Sequence, residues 1–413
     1  MKKFLKVLFF IFIGIIALCG LFTVANVVNG VVMNGYIDSF SSVEKENALT
    51  VQYGENGDAY FVTDGNFKVM HLTDVHIGGG VLSAWNDRMA INAVAAMVTE
   101  EKPDLVVVTG DISFAIPTTA TLNNGYAHRF FARLMERLGV YWTVTFGNHD
   151  SENYNYHTRR EVAELYSREE LEHCLFSSGP DGVFGECNHA ISVRGSSGIV
   201  RELFVMIDTN AYSEDDPLGL GWDYDRIRDD QIEWYRGVVE YYQEYNESLL
   251  SELSLDLSDE VISRYSAVKS MVFMHIPIRE VKAAYDEYVG NNRQNTENTE
   301  YLGGVDGESD QVVYCPEEDE NMFETILELG STEAMFYGHD HLNNFVLKYK
   351  GVTLSYGLSI DYLAYFGIAG QGDQRGCTVI TVSDSSPVIV HENYYQDKYA
   401  PLYEKESVTL SER

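Results

Sequence analysis

The stretch Leu105-Val106-Val107-Val108-Thr109 constrains the chain more than any other. Side chains on a strand alternate between its two faces, and here every one is apolar or β-branched. Both faces therefore need cover, which is the situation of a strand in a mostly parallel sheet. Its neighbours fit that setting. Residues 67–72 and 140–146 are strand-like runs. Between the three runs lie residues 86–101, with Met89, Ile91, Val94, Met97 and Val98 at helical spacing, and residues 126–138. Strand, helix, strand, helix, strand is βαβ alternation, so the fold class is α/β.

Further apolar runs follow at 190–193, at 203–207 before Asp208, at 270–274 and at 334–337. A long helix is expected from 229 to about 247, with acidic Asp229 and Asp230 in its first turn. A short one spans 321–329 and is stopped by Gly330. Residues 345–348, 352–356, 378–382 and 388–390 read as antiparallel strands, with Lys350-Gly351 as a hairpin turn. The acidic, Asn-rich stretch at about 280–320 reads as a mobile insertion near the site.

The amino terminus is of another kind. Lys2, Lys3 and Lys6 precede residues 7–28, which contain no charge. That length is close to the ~20 apolar residues that cross a bilayer core. Asp38, Glu44 and Glu46 follow. The positive-inside tendency then leaves the amino terminus in the cytoplasm and everything after about residue 30 outside. Residues 1–29 read as an uncleaved membrane anchor, the alternative being a signal peptide that is removed and a secreted product. Residues 30–65 read as linker and edge strand, 66–395 as one domain, and 396–413 as a polar tail.

With 63 acidic against 29 basic residues the net charge is −34. Such a surface repels nucleic acid, so no nucleic-acid partner is expected, and no protein partner is inferred. Of five cysteines, Cys19 lies in the apolar segment, and the others lack zinc-site spacing. Cys174 and Cys187 could pair in an exported domain, and separate thiols fit as well.

The apolar runs share one property: they end in metal-type side chains. These are Asp74-Val75-His76, Gly110-Asp111, Gly147-Asn148-His149-Asp150, His275, and Gly338-His339-Asp340-His341. Asp, His and Asn suit Zn, Mn or Fe in a mixed oxygen and nitrogen shell. One such residue at a strand end is commonly a cap; five such blocks in series are not readily explained that way.

In this order, over about residues 66–385, the blocks resemble the calcineurin-like metallophosphoesterases. Asp181-Gly182-Val183-Phe184-Gly185, Asp230-Gln231-Ile232-Glu233-Trp234 and residues 338–343 look most like the branch grouped with the purple acid phosphatases. That branch carries a tyrosine ligand three residues after its bridging Asp, where this chain has Phe114, and a glycine where this chain has His76. An ordinary dimetal pattern fits better.

The resemblance implies a four-layer α-β-β-α sandwich and hydrolysis of phosphomonoesters or phosphodiesters by a hydroxide held between two metal ions. It places Asp74, His76 and His341 on one ion, Asn148, His275 and His339 on the other, and Asp111 on both. His149 would sit beside the substrate phosphate, where it could protonate the leaving oxygen. Asp150 would orient His149 or a ligand. Asp340 would point away from its histidine neighbours. Arg159 or Arg160 could reach a phosphate, although a surface role is the commoner fate. A rival reading is a surface metal-binding protein with little turnover.

Overall fold

The computed structural model describes residues 2–399 except 55, 117–120, 217, 254–256, 309–311, 319–320, 366–367 and 369–373. Helix α1 (Lys2–Asp38) leads to two short strands, β1 (Gln52–Tyr53) and β2 (Ala59–Val62). Then come β3 (Phe67–Leu72), α2 (Ala84–Glu101), β4 (Leu105–Thr109), α3 (Gly125–Leu138) and β5 (Tyr141–Thr145). After α4 (Arg159–Tyr166) follow β6 (His189–Arg194), β7 (Val200–Met206), α5 (Asp229–Glu252), α6 (Asp259–Ala267), β8 (Ser270–Phe273), α7 (Arg279–Gly290) and β9 (Thr299–Gly303). The chain closes with α8 (Met322–Leu329), β10 (Thr332–Tyr337), β11 (Val346–Tyr349), β12 (Val352–Tyr356), β13 (Gly376–Val382) and β14 (Val388–Tyr394).

One sheet has the order β14-β13-β3-β4-β5, and β3, β4 and β5 run parallel. The other has the order β1-β2-β6-β7-β8-β10-β12-β11-β9, with β7, β8, β10 and β12 parallel. The alternation of β4 shows how the layers form. Leu105 and Val107 face the other sheet and join Phe67, Phe204, Phe273 and Phe336 in the space between them. Val106 and Val108 face outward, into a core made with Met97 and Val98 of α2 and Phe131 and Leu134 of α3. Tyr235 and Val239 of α5, Val281 of α7 and Phe323 of α8 cover the second sheet. The result is four layers, α-β-β-α. Phe273 and Phe336 stack with centroids 4.9 Å apart at the middle of the sandwich.

Three elements differ from the sequence reading. Helix α1 does not end near residue 30 but runs to Asp38. Met33 and Ile37 are buried against the α2–α3 layer, and Asp38 accepts from Arg133 Nε and Nη2 at 2.8 and 2.6 Å. Packing carries the helix through Gly30 and Gly35, where propensity alone would let it fray. The stretch at 280–320 is not a featureless insertion. Its α7 contributes Val281, Ala284 and Tyr285 to a core, and β9 pairs antiparallel with β11 at the sheet edge. Strand β12 is antiparallel to β11 but parallel to β10. The five cysteines are free thiols, and Cys174 and Cys187 do not pair.

Candidate metal centre

The carboxyl ends of β3, β4, β5, β8 and β10 converge on one point. The loops there are tightly packed. A Cβ on Gly110 would lie 2.4 Å from Gly147 N, and one on Gly147 would lie 2.1 Å from Asp111 Oδ1. Only glycine lets the two loops approach this closely. Asp74, His76, Asp111 and His339 all adopt left-handed backbone, with φ of 50, 50, 52 and 77°. Non-glycine residues there cost on the order of 1–2 kcal/mol each and persist only when their surroundings hold them. The surroundings do so through Asp74 N donating to Gly110 O (3.2 Å) and His76 N to Asp111 O (3.0 Å). The His339 N–H likewise donates to the Asp74 carboxylate at 3.1–3.2 Å.

Ligand-type atoms of Asp74, His76, Asp111 and His341 all lie within 4.8 Å of one another. His76 Nε2 is 3.7 Å from both Asp74 Oδ1 and Asp111 Oδ2, and His341 Nε2 is 3.5 Å from Asp74 Oδ1. On the other side of Asp111, its Oδ2 is 3.2 Å from His275 Nε2, which is 3.2 Å from Asn148 Oδ1. The His339 ring stands 5.2 Å from that of His275. Asp111 therefore faces two groups of donors at once. The structure brings together all seven residues that the sequence singled out as ligands.

The donor set fits cations. Thr109 O can only accept, so His275 Nδ1, 2.7 Å away, carries the proton of the neutral ring. Nε2 faces Asp111 Oδ2 and Asn148 Oδ1, two acceptors, so a cation belongs at that position, either a proton or a metal ion. Asp111 Oδ2 is buried, and unless a proton sits on His275 Nε2 it has no hydrogen-bond donor among the described residues. A buried carboxylate oxygen without a donor is costly unless positive charge is near. Burial disfavours charge on His275, yet Asp111 and Asp74 outweigh it and raise its pKa to about 9. His341 is likewise raised to about 9 against burial, by Asp361 and Asp74. His339, buried beside His275, is held well below the ordinary histidine range. A site that draws protons in this way is one that metal ions can fill.

Outer contacts aim the ligands. Asp361 Oδ2 lies 3.3 Å from His341 Nδ1. Burial opposes its charge, but His76 and His341 hold that carboxyl far below the usual range. Asn148 Nδ2 donates to Tyr212 Oη at 2.9 Å, which turns Oδ1 toward His275. Thr73 Oγ1 donates to Asp74 Oδ2 at 2.8 Å.

His149 lies over the pocket, and its own N–H donates to Asp111 Oδ1 at 2.8 Å. Its imidazole partner is Glu152, with Nδ1 and Oε1 2.7 Å apart, and not Asp150. Asp150 instead accepts from the backbone N–H of Gly147 (2.8 Å), Asp111 (2.9 Å) and Ser113 (3.0 Å). It ties the β4 and β5 loops together from below and touches no ligand side chain. Phe114 packs edge-on against His76 and His149, with centroids 5.3 and 5.1 Å away. Asp340 turns away and accepts from Tyr356 Oη at 2.5 Å and Tyr314 N at 3.2 Å. Arg159 is committed to Asp208, Gly147 O and Asn210 O, and Arg160 pairs with Glu164 on the surface, so neither faces a phosphate.

A pocket of about 260 Å³ opens above the centre between Trp222, Tyr224, Glu308, Tyr314 and Tyr365. A larger one of about 480 Å³ lies elsewhere, beneath Trp234 and Tyr241, and contains none of these ligands. Sequence reasoning missed Glu152, Tyr212 and Asp361. For Glu152 there was a signal, since it follows His149 by one helical turn in sequence.

A four-layer sandwich with carboxylates and imidazoles gathered at its strand ends is the architecture of dimetal phosphatases. The chain belongs to the calcineurin-like phosphoesterase family, whose model matches residues 67–343. Probable inactive purple acid phosphatase 14 of Arabidopsis thaliana is 25% identical over 327 residues, covering 74% of this chain and 73% of that protein. Phosphatase DCR2 of Saccharomyces cerevisiae is 25% identical over 307 residues, covering 69% of this chain and 46% of that protein. A dimetal phosphatase from Danio rerio aligns with a TM-score of 0.41 at 12% identity, covering 79% of this chain and 99% of its own.

Proposed function

We propose that this chain is a membrane-anchored, metal-dependent phosphoesterase whose catalytic domain lies outside the cytoplasm. The observation that carries the reading is the buried Asp111 Oδ2 held between the Nε2 atoms of His76 and His275, 3.7 and 3.2 Å away. Asp74, His76 and His341 would hold one ion, and Asn148, His275 and His339 the other, with Asp111 shared. Mn, Fe and Zn all suit these donors. Bound there, two such ions supply Lewis acidity toward a phosphate and an activated water.

The chain's own residues do the rest. Glu152 holds His149 by Nδ1, which leaves Nε2 for the leaving oxygen of a phosphate ester. Neutral Asn148 ligates without adding negative charge. Trp222, Tyr224 and Tyr314 wall the pocket and limit water around the ester.

Helix α1 is the element among the described residues that is long and apolar enough to cross a membrane, as an anchor or as a signal sequence. One observation supports an anchor that stays attached. The far end of α1, with Asn26, Asn29, Met33 and Ile37 buried, is packed on the domain, so removal up to residue 29 would strip the Asn26 and Asn29 part of an existing interface. Lysines before the span and carboxylates after it support the outward orientation.

A second reading keeps the metal and loses the chemistry. Its support is the name of the Arabidopsis relative, a probable inactive phosphatase, and the position of Glu308 and Tyr314, from the acidic stretch, at the pocket mouth. His149, which is no ligand yet lies over the site, favours turnover. The test is to load the purified chain with Mn, Fe or Zn and assay p-nitrophenyl phosphate and its bis-ester. Turnover supports the first reading, metal without turnover the second, and absence of metal rejects both.

A further inference from the structure

We propose that the domain rests on the bilayer that α1 enters, through Val81, Leu82 and Trp85, and that its substrates are phosphate esters of membrane amphiphiles. The substrate part rests on the phosphoesterase reading above; the docking part does not.

The argument starts from the length of α1. Residues 7–37 carry no charged side chain. At 1.5 Å per residue they span roughly 45 Å. The hydrocarbon core takes only ~30 Å, so the last ten or so residues lie at headgroup depth. The domain is fastened to this same part of the helix. Asn26, Asn29, Gly30, Met33 and Ile37 face the domain and are buried, whereas Val27, Val28, Val31 and Val32 face away and are 53–69% exposed. A stripe of four valines on a helix is out of place in water and at home against lipid.

The contact point fixes which part of the domain meets the membrane. Asn26 Oδ1 accepts from Val81 N at 2.8 Å. Val81, Leu82 and Trp85, around the start of α2, are 38, 58 and 50% exposed. Tryptophan is the side chain most at home at a membrane interface. The only carboxylate in this segment, Asp87, is buried beneath the loop, accepting from Gly78 N and Gly79 N at 2.8 and 3.0 Å. A chain of net charge −34 gains nothing electrostatically from an anionic surface, so apolar contact has to hold it there.

The patch is coupled to the metal centre by two short routes. The glycine loop runs directly from His76 to Val81. Asn86 Nδ2 donates to Tyr362 O, beside the Asp361 that holds His341. Three residues on, Tyr365 lines the pocket, 5.7 Å from the His341 ring. These contacts join the loop that meets the membrane to the metal centre, and on this proposal a phosphate at headgroup level reaches the pocket from there.

The test uses the full chain in phosphatidylcholine vesicles, metal-loaded. Phosphatidic acid or phosphatidylglycerol in the same vesicles is one arm, and p-nitrophenyl phosphate with its bis-ester in solution is the other. The double variant Leu82→Ser, Trp85→Ser, still tethered by α1, should lose about tenfold or more of lipid turnover, the equivalent of one lost apolar contact, and keep its rate on the soluble esters. An unchanged lipid rate, equal losses in both arms, or a wild type that cleaves only soluble esters would overturn the proposal. A wild type inactive on every ester would count against the phosphoesterase reading instead. Docking is then read without turnover: brominated acyl chains should quench tryptophan fluorescence in the wild type and far less in Trp85→Phe. Equal quenching in both would overturn it.

Discussion

His275 Nδ1 lies 2.7 Å from Thr109 O, and its Nε2 lies 3.2 Å from Asp111 Oδ2. Thr109 ends β4 and Asp111 stands two residues later, so one strand end both orients the histidine and supplies the carboxylate it faces. The centre is thus built by pairs of strand ends, each setting the geometry of its neighbour. Several consequences can be measured.

Glu152 and Asp150 should separate cleanly. Glu152→Gln removes the charge that holds His149 and should lower kcat about tenfold with metal content unchanged. Asp150→Asn turns one of the two accepting oxygens into a donor, so that at least the Ser113 N–H loses its acceptor, and should cost about 2 kcal/mol of stability. Steady-state kinetics beside urea unfolding of both variants distinguishes the two roles. Equal behaviour would refute the distinction.

Tyr212→Phe deletes the oxygen that accepts from Asn148 Nδ2. With Asn148 free to turn, affinity for the ion proposed to sit among Asn148, His275 and His339 should fall roughly tenfold, at the lower end of what outer partners contribute. Titration calorimetry with Mn or Zn should show one weakened step and one unchanged.

His189 gives a pH dependence remote from the metal ligands. It is buried, bonded through Nδ1 to Cys187 O at 2.9 Å and through Nε2 to the Thr143 hydroxyl at 2.6 Å. Burial lowers its pKa to about 4 from an ordinary value of 6.5. Between those values the unfolded chain binds a proton that the folded chain does not, so stability falls as pH drops from 6.5 toward 4. The slope is about 1.4 kcal/mol per pH unit for one such group. His189→Gln should flatten the stability–pH curve by that amount in this window and leave it unchanged above pH 7. A curve parallel to wild type would contradict this.

The seven ligand-type residues were legible because they follow the ends of apolar runs, and a continuous apolar run with an abrupt polar stop is a local signal. The same signal exposed the parallel core of the smaller sheet through β3, β4 and β5. Their outer partners were not legible. Asp361 reaches His341 only because the chain returns along β12, and Tyr212 reaches Asn148 only because the segment after β7 folds back over the β5 loop. No local pattern encodes either contact. The tail of α1 was misread because the apolar run of membrane length stops near residue 28 and the chain then turns polar and mixed, whereas burial against the α2–α3 layer carries the helix on. Strand β9 was missed because only Tyr301 and Leu302 of its five residues are apolar and it sits within a polar, Asn-rich stretch.

The central claim is that Asp111 is shared by two metal ions that make the chain a phosphoesterase. Elemental analysis and p-nitrophenyl ester turnover on the same preparations of wild type and Asp111→Asn test it most directly. The account predicts two ions per wild-type chain with turnover, and loss in the variant of at least one ion and of at least the ~100-fold that outer partners of ligands can reach. A wild type without metal, or an Asp111→Asn variant that keeps both its metal and its rate, would contradict it.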